Sequence, residues 1–226
     1  MTDSLSWDGG EVSQNDEQAF EKCRQAAEEG YAVAQFLLGR FYQKGEVVSQ
    51  NEELAAEWYR RAAEQGHGEA QFILGLLYRK GRGVPQDDEE AVNWYHKAAE
   101  GGHVQAQCLL GVMYRRGRRV PRDDRRAAEW YRRAAEQNHR GAQFMMGWLY
   151  ENGWGVPQDD TEAVRWYRLA AEDGYPAAQF NLGWMYENGR GVPQDDSQAA
   201  EWYRKAARQD HVGAKFNLNV IYRKNL

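Results

Sequence analysis

A repeat of 36 residues runs through nearly the whole chain and constrains its fold more than any other feature. Four sets of residues recur at this interval. Two of them are Trp58, Trp94, Trp130, Trp166 and Trp202, and Gly39, Gly75, Gly111, Gly147 and Gly183, with Asn219 in the sixth glycine place. The other two are Tyr42, Tyr78, Tyr114, Tyr150, Tyr186 and Tyr222, and Tyr59, Tyr95, Tyr131, Tyr167 and Tyr203. Aromatic residues that recur this regularly are expected to pack the repeats together.

The first half of each repeat is predicted to form a helix, called an A helix here. In one copy Ala70, Leu74 and Tyr78 fall on one face at helical spacing. Gly75 lies mid-helix, which costs about 1 kcal/mol relative to alanine. That cost is tolerable if a neighbouring helix approaches the bare backbone closely. Gly81 is expected to end the helix in a left-handed conformation.

The second half of each repeat is predicted to form another helix, called a B helix. Asp87 or Asp88 is expected to cap it, and Ala91, Trp94 and Tyr95 again share one face. No alternation typical of strands occurs anywhere, so the chain is predicted to be all-α. The predicted B helices lie near 16–29, 52–65, 88–100, 124–137, 160–173 and 196–209, and the A helices near 33–44, 69–80, 105–116, 141–152, 177–188 and 213–224.

Twelve helices without a linker predict a solenoid in which each repeat contacts mainly its neighbours. Residues 14–226 are predicted to form this single domain, about five full repeats with terminal half-repeats, after a disordered tail at 1–13. Hydrophobic residues make up 42% of the chain and charged residues 28%, which excludes wholesale disorder. No apolar run approaches the roughly 20 residues that a membrane span needs.

The N-terminus has neither a basic nor an apolar region typical of a signal peptide, so a cytoplasmic location is expected. A chain whose leader had been removed would look the same. The two cysteines, Cys23 and Cys108, are too few for a disulfide framework and fall in different repeats. They are expected to be reduced, buried small side chains.

The repeat resembles the Sel-one-like repeat, a branch of the tetratricopeptide superfamily. One copy carries the pattern as Ala178, Leu182, Gly183, Tyr186, Gly189, Gly191, Val192, Asp195, Ala199, Trp202, Tyr203, Ala206 and Ala207. The match covers about 16–226 and departs from the pattern only towards the two ends of the chain. There Lys22 and Cys23 replace the Trp-Tyr pair, residues 46–49 replace the usual loop, and Asn219 replaces the last glycine.

This resemblance implies a right-handed superhelix whose A helices line a concave surface. It also implies an interaction adaptor, a role that many bacterial members of the family have. One secreted, cysteine-rich branch is associated with binding or hydrolysis of β-lactams. That branch joins its helix pairs through regularly spaced cysteines, which this sequence lacks, so the enzymatic precedent does not transfer.

The residues that could carry catalysis follow the repeat, which argues against an enzyme, a metal or a cofactor. Four of the five histidines, His67, His103, His139 and His211, occupy the same turn and would lie a repeat apart. The recurring Asp pairs are explained as helix caps. No nucleophile arrangement and no phosphate-binding loop is present in the sequence.

A partner-binding surface is expected where repeats differ on the concave face of the A helices. The predicted apolar floor consists of Phe36, Phe72, Phe144 and Phe180, and the predicted wall of Arg79, Lys80, Arg115, Arg116, Glu151 and Glu187. Trp148 and Trp184 also lie there, at a position where other repeats have Arg, Leu or Val. They are interpreted either as anchors for a partner or as packing against the next repeat. The anchor hypothesis predicts a partner segment with basic and apolar residues.

Residues 115–140 form a second departure from the repeat, with ten arginines and four acidic residues, a local charge of +6. This run is interpreted as a solvated face or a docking site for an acidic protein. Nucleic acid is a weaker alternative because no base-stacking module accompanies the arginines.

Recognition of another protein by an adaptor is therefore the predicted function, and an immunity protein that blocks a toxin or secreted effector is the alternative. The last A helix has no B helix after it in the sequence. Phe216 and Ile221 are accordingly predicted to be partly exposed, which would favour end-to-end self-association or indicate a truncated chain.

Overall fold

The computed structural model describes residues 14–224, which contain twelve helices and no strand. In chain order they are α1 (Gln14–Glu28), α2 (Ala32–Lys44), α3 (Glu52–Glu64), α4 (Gly68–Lys80), α5 (Asp88–Glu100), α6 (Val104–Arg116), α7 (Asp124–Glu136), α8 (Arg140–Asn152), α9 (Asp160–Glu172), α10 (Pro176–Asn188), α11 (Asp196–Ala207) and α12 (Val212–Lys224). The even-numbered helices are the A helices. The predicted all-α fold is confirmed, with bounds that agree to within two residues; the tail predicted at 1–13 lies outside the described residues.

The helices form two compact units, unit 1 up to His103 and unit 2 from Val104 onwards. In unit 1, α1 packs on α2, α2 on α3, α3 on α4 and α4 on α5. In unit 2 the same consecutive packing runs from α6 to α12. The stacked helix pairs predicted from the repeat are therefore present within each unit. A single domain over 14–226 stays a prediction.

The residue before the helices α3, α5, α7, α9 and α11 is a cap, an asparagine once and an aspartate four times. The Asp87 carboxylate accepts hydrogen bonds from the backbone N–H groups of Glu89 and Glu90 at 2.9 and 3.0 Å. This settles which of the two predicted aspartates caps α5. Residues that do the same for other B helices are Asn51, Asp123, Asp159 and Asp195. Each such cap contributes about 1 kcal/mol, which explains the first aspartate of each recurring pair; the second is the first residue of the helix, where a negative charge is favourable.

The mid-helix glycines allow the tyrosine of the following B helix to approach the backbone. A Cβ at Gly75 would lie 2.6 Å from Cε1 of Tyr95 and 3.1 Å from the backbone oxygen of Ala91. The expected close approach is therefore confirmed. The tyrosine rings at this position, those of Tyr59, Tyr95, Tyr131, Tyr167 and Tyr203, are completely buried.

A buried glutamine near the start of the A helices provides a contact that the sequence analysis did not anticipate. Nε2 of Gln179 donates to the backbone oxygen of Ala171 at 3.0 Å, near the end of the preceding B helix. Gln35, Gln71 and Gln143 make the same bond in their repeats. An unpaired carbonyl in the interior would cost about 1–3 kcal/mol, so these amides stabilise the join between repeats.

The last helix confirms one prediction of exposure and contradicts another. The Phe216 side chain is 68% exposed, as expected, whereas Ile221 is only 1% exposed. Ile221 packs with Tyr203, Ala206 and Ala214, because its side of α12 faces the preceding helix α11. The prediction that Ile221 is exposed was therefore wrong.

Candidate partner-binding face

Eight of the predicted binding residues lie on three successive A helices of unit 2, and five of these are half-buried charged or tryptophan side chains. Arg115 is on α6, Trp148 and Glu151 are on α8, and Trp184 and Glu187 are on α10. We call this set the tryptophan face. The two Trp–Glu pairs are 36 residues apart, so the same helical register positions both.

Trp148 is half-buried and lies between other aromatic and cationic groups. Its ring meets that of Trp154 edge to face, with 4.4 Å between centroids. The guanidinium carbon of Arg115 lies 5.4 Å from the Trp148 ring centroid, and that of Arg122 lies 5.8 Å from the Trp154 ring. Both separations fall within the range of cation–π attraction.

Trp184 has a similar environment one repeat later. Its ring is half-buried, and the guanidinium carbon of Arg190 lies 5.2 Å from its centroid. Both Trp148 and Trp184 also pack against the core that contains Leu182 and Met185. Trp184 packs likewise on the core that contains Ala214 and Ile221 of the next repeat. Each tryptophan therefore contacts the next repeat and keeps part of its surface accessible, so features of both interpretations are present.

The two glutamates accept hydrogen bonds from buried tyrosines. Oη of Tyr167 donates to Glu151 at 2.6 Å, and Oη of Tyr203 donates to Glu187 at 2.7 Å. The Tyr203 oxygen also accepts from Nδ2 of Asn217 at 3.0 Å. Burial, and next the hydrogen bond to a carboxylate, raises the pKa of both phenols. The glutamates thus help to hold the rings as well as placing charge on the face.

Arg190 connects several of these groups and was not predicted from the sequence. Its guanidinium pairs with Asp160 at 2.7 Å and lies 3.7 Å from the carboxylate of Glu151. Because it also covers Trp184, it brings Glu151 and Trp184 into one cluster. Its positive charge offsets part of the negative charge expected at Glu151.

The end of the tryptophan face on α6 is positively charged. Arg115 is half-buried and Arg116 is exposed at the end of α6. Burial raises the pKa of the Tyr131 phenol to about 12, while the neighbouring Arg115 guanidinium acts in the opposite direction. The face therefore changes from basic at α6 to acidic at α10.

The four phenylalanines predicted as a groove floor are half-buried members of aromatic stacks. Phe180 lies 5.6 Å from Tyr203 and 4.6 Å from His211, centroid to centroid. Phe144 lies 5.7 Å from Tyr167 and 5.3 Å from Tyr175. In unit 1, Phe36 and Phe72 stack on His67 and His103 in the same way. Their role in binding stays a prediction.

The remaining predicted residues, Arg79 and Lys80, lie at the end of α4 in unit 1. Arg79 is half-buried and Lys80 is exposed. At the position that corresponds to Arg79 one repeat earlier, Oε1 of Gln43 accepts from Oη of Tyr59 at 2.8 Å. The prediction that Arg79 and Lys80 belong to the same binding surface as the tryptophan face stays a prediction.

Trp154 is the other residue of this cluster that the sequence analysis missed. It is 39% exposed and stands in a loop position that Arg82, Arg118 and Arg190 occupy in other repeats. The signal that singles out Trp148 and Trp184, a tryptophan outside the repeat pattern, applies equally to Trp154. Trp154 lies in the loop between α8 and α9, where helical register gives no indication of its neighbours.

The other chemically active side chains have structural partners. Nδ1 atoms of His67, His139 and His211 accept from the backbone N–H groups of Ala70, Ala142 and Ala214. Within residues 14–224, no three His, Cys, Asp or Glu side chains converge in a way that could hold a metal ion. Cys23 and Cys108 are free thiols whose pKa values are raised by burial. None of the described helices is long and apolar enough to cross a bilayer.

Several arginines of the run at 115–140 form ion pairs or hydrogen bonds with nearby side chains. Arg122 pairs with Asp124 at 2.8 Å, and Arg126 lies 3.5 Å from Asp123. Nη2 of Arg132 donates to Oη of Tyr150 at 2.9 Å. Both predicted roles of this run, a solvated face and a docking site, stay predictions.

Stacked helix pairs with a ladder of Gly–Tyr contacts define a helical-repeat protein. The chain belongs to the Sel1 repeat family, whose family model, described as "Sel1 repeat", matches residues 5–31, 32–67, 68–103, 104–139, 141–175 and 176–211. The predicted resemblance is thereby confirmed. Proteins of this family generally mediate protein–protein interaction. A comparison with curated proteins found no match.

Solved structures of Sel1-like proteins have the same fold. The protective antigen c5321 of uropathogenic Escherichia coli is 42% identical over 92% of this chain, with a TM-score of 0.83. The match spans only 44% of that protein's chain. A Sel1 repeat protein from Oxalobacter formigenes is 38% identical, with 92% and 86% of the two chains covered and a TM-score of 0.83. The immunity protein PA5088 from Pseudomonas aeruginosa matches at 26% identity and a TM-score of 0.46, over 82% of this chain and 67% of that chain; a likeness of that size carries no argument about function.

Proposed function

We propose that this chain is a non-enzymatic adaptor that binds a segment of another protein on the tryptophan face. The observation that supports this most directly is the pair of half-buried tryptophans at one register on α8 and α10. The same register on α6 holds Val112, so the repeat itself does not require tryptophan there. Tryptophan and arginine are the residue types most enriched among dominant contacts at protein interfaces.

The charge of the face favours a segment with apolar residues between charged ones. Glu151 and Glu187 would attract a basic residue towards α8 and α10. Arg115 and Arg116 would attract an acidic residue towards α6. Such complementarity sets the orientation of a bound segment and its rate of association more than its affinity. The apolar residues between them would supply the affinity by covering Trp148 and Trp184.

A peptide selected on the immobilised protein from a random library provides a defined ligand for the test. We expect replacement of both Trp148 and Trp184 by alanine to weaken its binding at least tenfold, about 1.4 kcal/mol. Leu169→Ala is the matched control, because Leu169 is 39% exposed and lies on the B helix α9. Thermal unfolding of each variant shows whether it is folded at the temperature of the titration.

Unchanged affinity in a folded double variant would contradict the proposed site. The charge component is tested separately with Glu151→Gln and Glu187→Gln, which keep an acceptor for the tyrosines. These variants should reduce affinity for peptides that carry a basic residue and leave the fold intact. The alternative function, an immunity protein, stays a prediction.

A further inference from the structure

The aromatic stacks between repeats have an exposed member at each end of the described chain. Phe180 on α10 packs at a tilt against Tyr203 of the next B helix and stacks on His211, the residue before the next A helix. Phe216 has the corresponding position on α12, and its side chain is 68% exposed. Tyr31 has the position that corresponds to His211, and its side chain is 64% exposed.

The first helix also exposes a surface that other repeats bury. α1 is a B helix, and its Ala19 corresponds to Ala55, Ala91, Ala127, Ala163 and Ala199. Those five alanines are at most 1% exposed, whereas Ala19 is exposed. The surface of α1 around Ala19 therefore has the form of a site that receives an A helix. The other end of the chain presents an A helix, α12.

The residues at these two ends are matched in size. Inside the chain, a glycine on each A helix faces a tyrosine ring on the next B helix, as Gly183 faces Tyr203. At the ends the glycine position holds Asn219 and the tyrosine position holds Cys23. Compared with the internal repeats, the A helix therefore has a larger side chain at this position and the B helix has a smaller one. Together they can fill the space that a glycine and a tyrosine fill elsewhere.

The two ends also carry opposite charge. Residues 14–31 include five acidic and two basic residues, whereas residues 196–226 include three acidic and six basic residues. Opposite charges of this kind steer two surfaces together, and their attraction weakens as the salt concentration rises. Stack position, side-chain size and charge therefore all favour contact between α12 and α1 surfaces.

We propose that α12 of one copy of this chain docks on α1 and Tyr31 of a second copy, head to tail. The Phe216 ring of the first copy then packs against the Tyr31 ring of the second, as the Phe144 ring packs at a tilt against Tyr175 within unit 2. The contact is heterologous, so each copy keeps one free end and association continues beyond two copies. The inference does not depend on the function proposed for the tryptophan face.

Two substitutions block the two ends separately. Phe216→Asp replaces the exposed aromatic ring of the α12 surface by a charge, and Tyr31→Asp does the same on the other surface. Both side chains are mostly exposed, so the fold should tolerate the changes, and aspartate is favourable at the helix-capping position that Tyr31 occupies. Leu169→Asp is the control for adding a charge at an exposed apolar residue away from both ends.

Mass measured by light scattering and sedimentation over a range of concentrations distinguishes the outcomes. We expect the wild type and Leu169→Asp to exceed the chain mass of 26.1 kDa increasingly with concentration, and to do so less at high salt. Each end variant alone should stay at the chain mass. An equimolar mixture of Phe216→Asp and Tyr31→Asp should form a dimer and nothing larger, because it contains one intact pair of ends.

Three results would overturn the proposal. A wild type that stays monomeric at the highest concentration excludes self-association. Association of Tyr31→Asp alone would indicate contact between two α12 helices instead. A mixture without dimers would show that the two surfaces do not bind each other.

Discussion

The backbone of Gly147 lies directly against the ring of Tyr167. A Cβ built on Gly147 would be 2.5 Å from Cδ1 of that ring. The ring is completely buried among Ala163, Ala170 and Leu182, so it has no room to withdraw. This contact explains why glycine recurs in the middle of A helices, where it is otherwise unfavourable.

Replacement of Gly147 by alanine should therefore destabilise the protein. Overpacking of a filled core costs about 1–3 kcal/mol, and alanine returns about 1 kcal/mol through its helix propensity. We expect a net loss of up to about 2 kcal/mol in the free energy of unfolding, measured by urea titration. Asn219→Ala is the control, because Asn219 has the same register on α12 and is exposed. A gain in stability of about 1 kcal/mol, which helix propensity alone predicts, would refute the packing explanation.

Glu151 should contribute to stability through its hydrogen bond with Tyr167. Glu151→Leu leaves the buried phenol without this acceptor, at a cost of about 1–3 kcal/mol. Glu151→Gln should cost less than half as much, since Gln43 accepts from Tyr59 in the same geometry at 2.8 Å. Chemical denaturation of both variants checks the order. Similar losses for the two substitutions would show that charge, not the acceptor, stabilises the ring.

Stability should fall at alkaline pH because buried tyrosines resist ionisation. Burial raises the pKa of Tyr131 to about 12, against about 10 for the unfolded chain. The folded state thus binds the proton more tightly, so this stabilisation is complete below about pH 10 and is lost as the pH rises towards 12. Urea unfolding over this range should show the decline, with a shallower slope in Tyr131→Phe. An identical slope in that variant would contradict the assignment to Tyr131.

Asn138 should be replaceable by glycine but not by alanine. Its φ is +62°, and Gly66, Gly102 and Gly174 occupy the same position with φ between +78° and +90°. Asparagine tolerates this left-handed conformation better than alanine does. We expect Asn138→Ala to lose about 1 kcal/mol of stability and Asn138→Gly to match or exceed the wild type. Alanine as stable as glycine in thermal unfolding would show that the turn imposes no strain.

The sequence was sufficient to predict the fold because each local signal recurs with the repeat. Caps such as Asp87, breakers such as Gly81 and the Trp–Tyr pairs all specify the same helix boundaries. The exposure of Phe216 also followed from its place at the end of the stack. Ile221 was predicted wrongly because helical periodicity alone did not show which side of α12 faces α11.

The candidate site was less predictable because its contacts join residues far apart in sequence. Arg190 reaches Asp160 and Glu151 across 30 and 39 positions. The sequence showed that Glu151 and Glu187 break the repeat but not that each accepts a bond from a buried tyrosine. Trp154 lies in a loop, where no helical register indicated that its ring would meet Trp148.

The indole N–H signals of the nine tryptophans provide the most direct test of partner binding on the tryptophan face. They can be assigned by single Trp→Phe variants and followed by NMR during titration with a selected peptide. We predict that the signals of Trp148 and Trp184 shift most, while those of Trp94 and Trp166, buried on B helices, stay in place. Shifts confined to the B-helix tryptophans, with Trp148 and Trp184 unchanged at saturation, would contradict binding at this face.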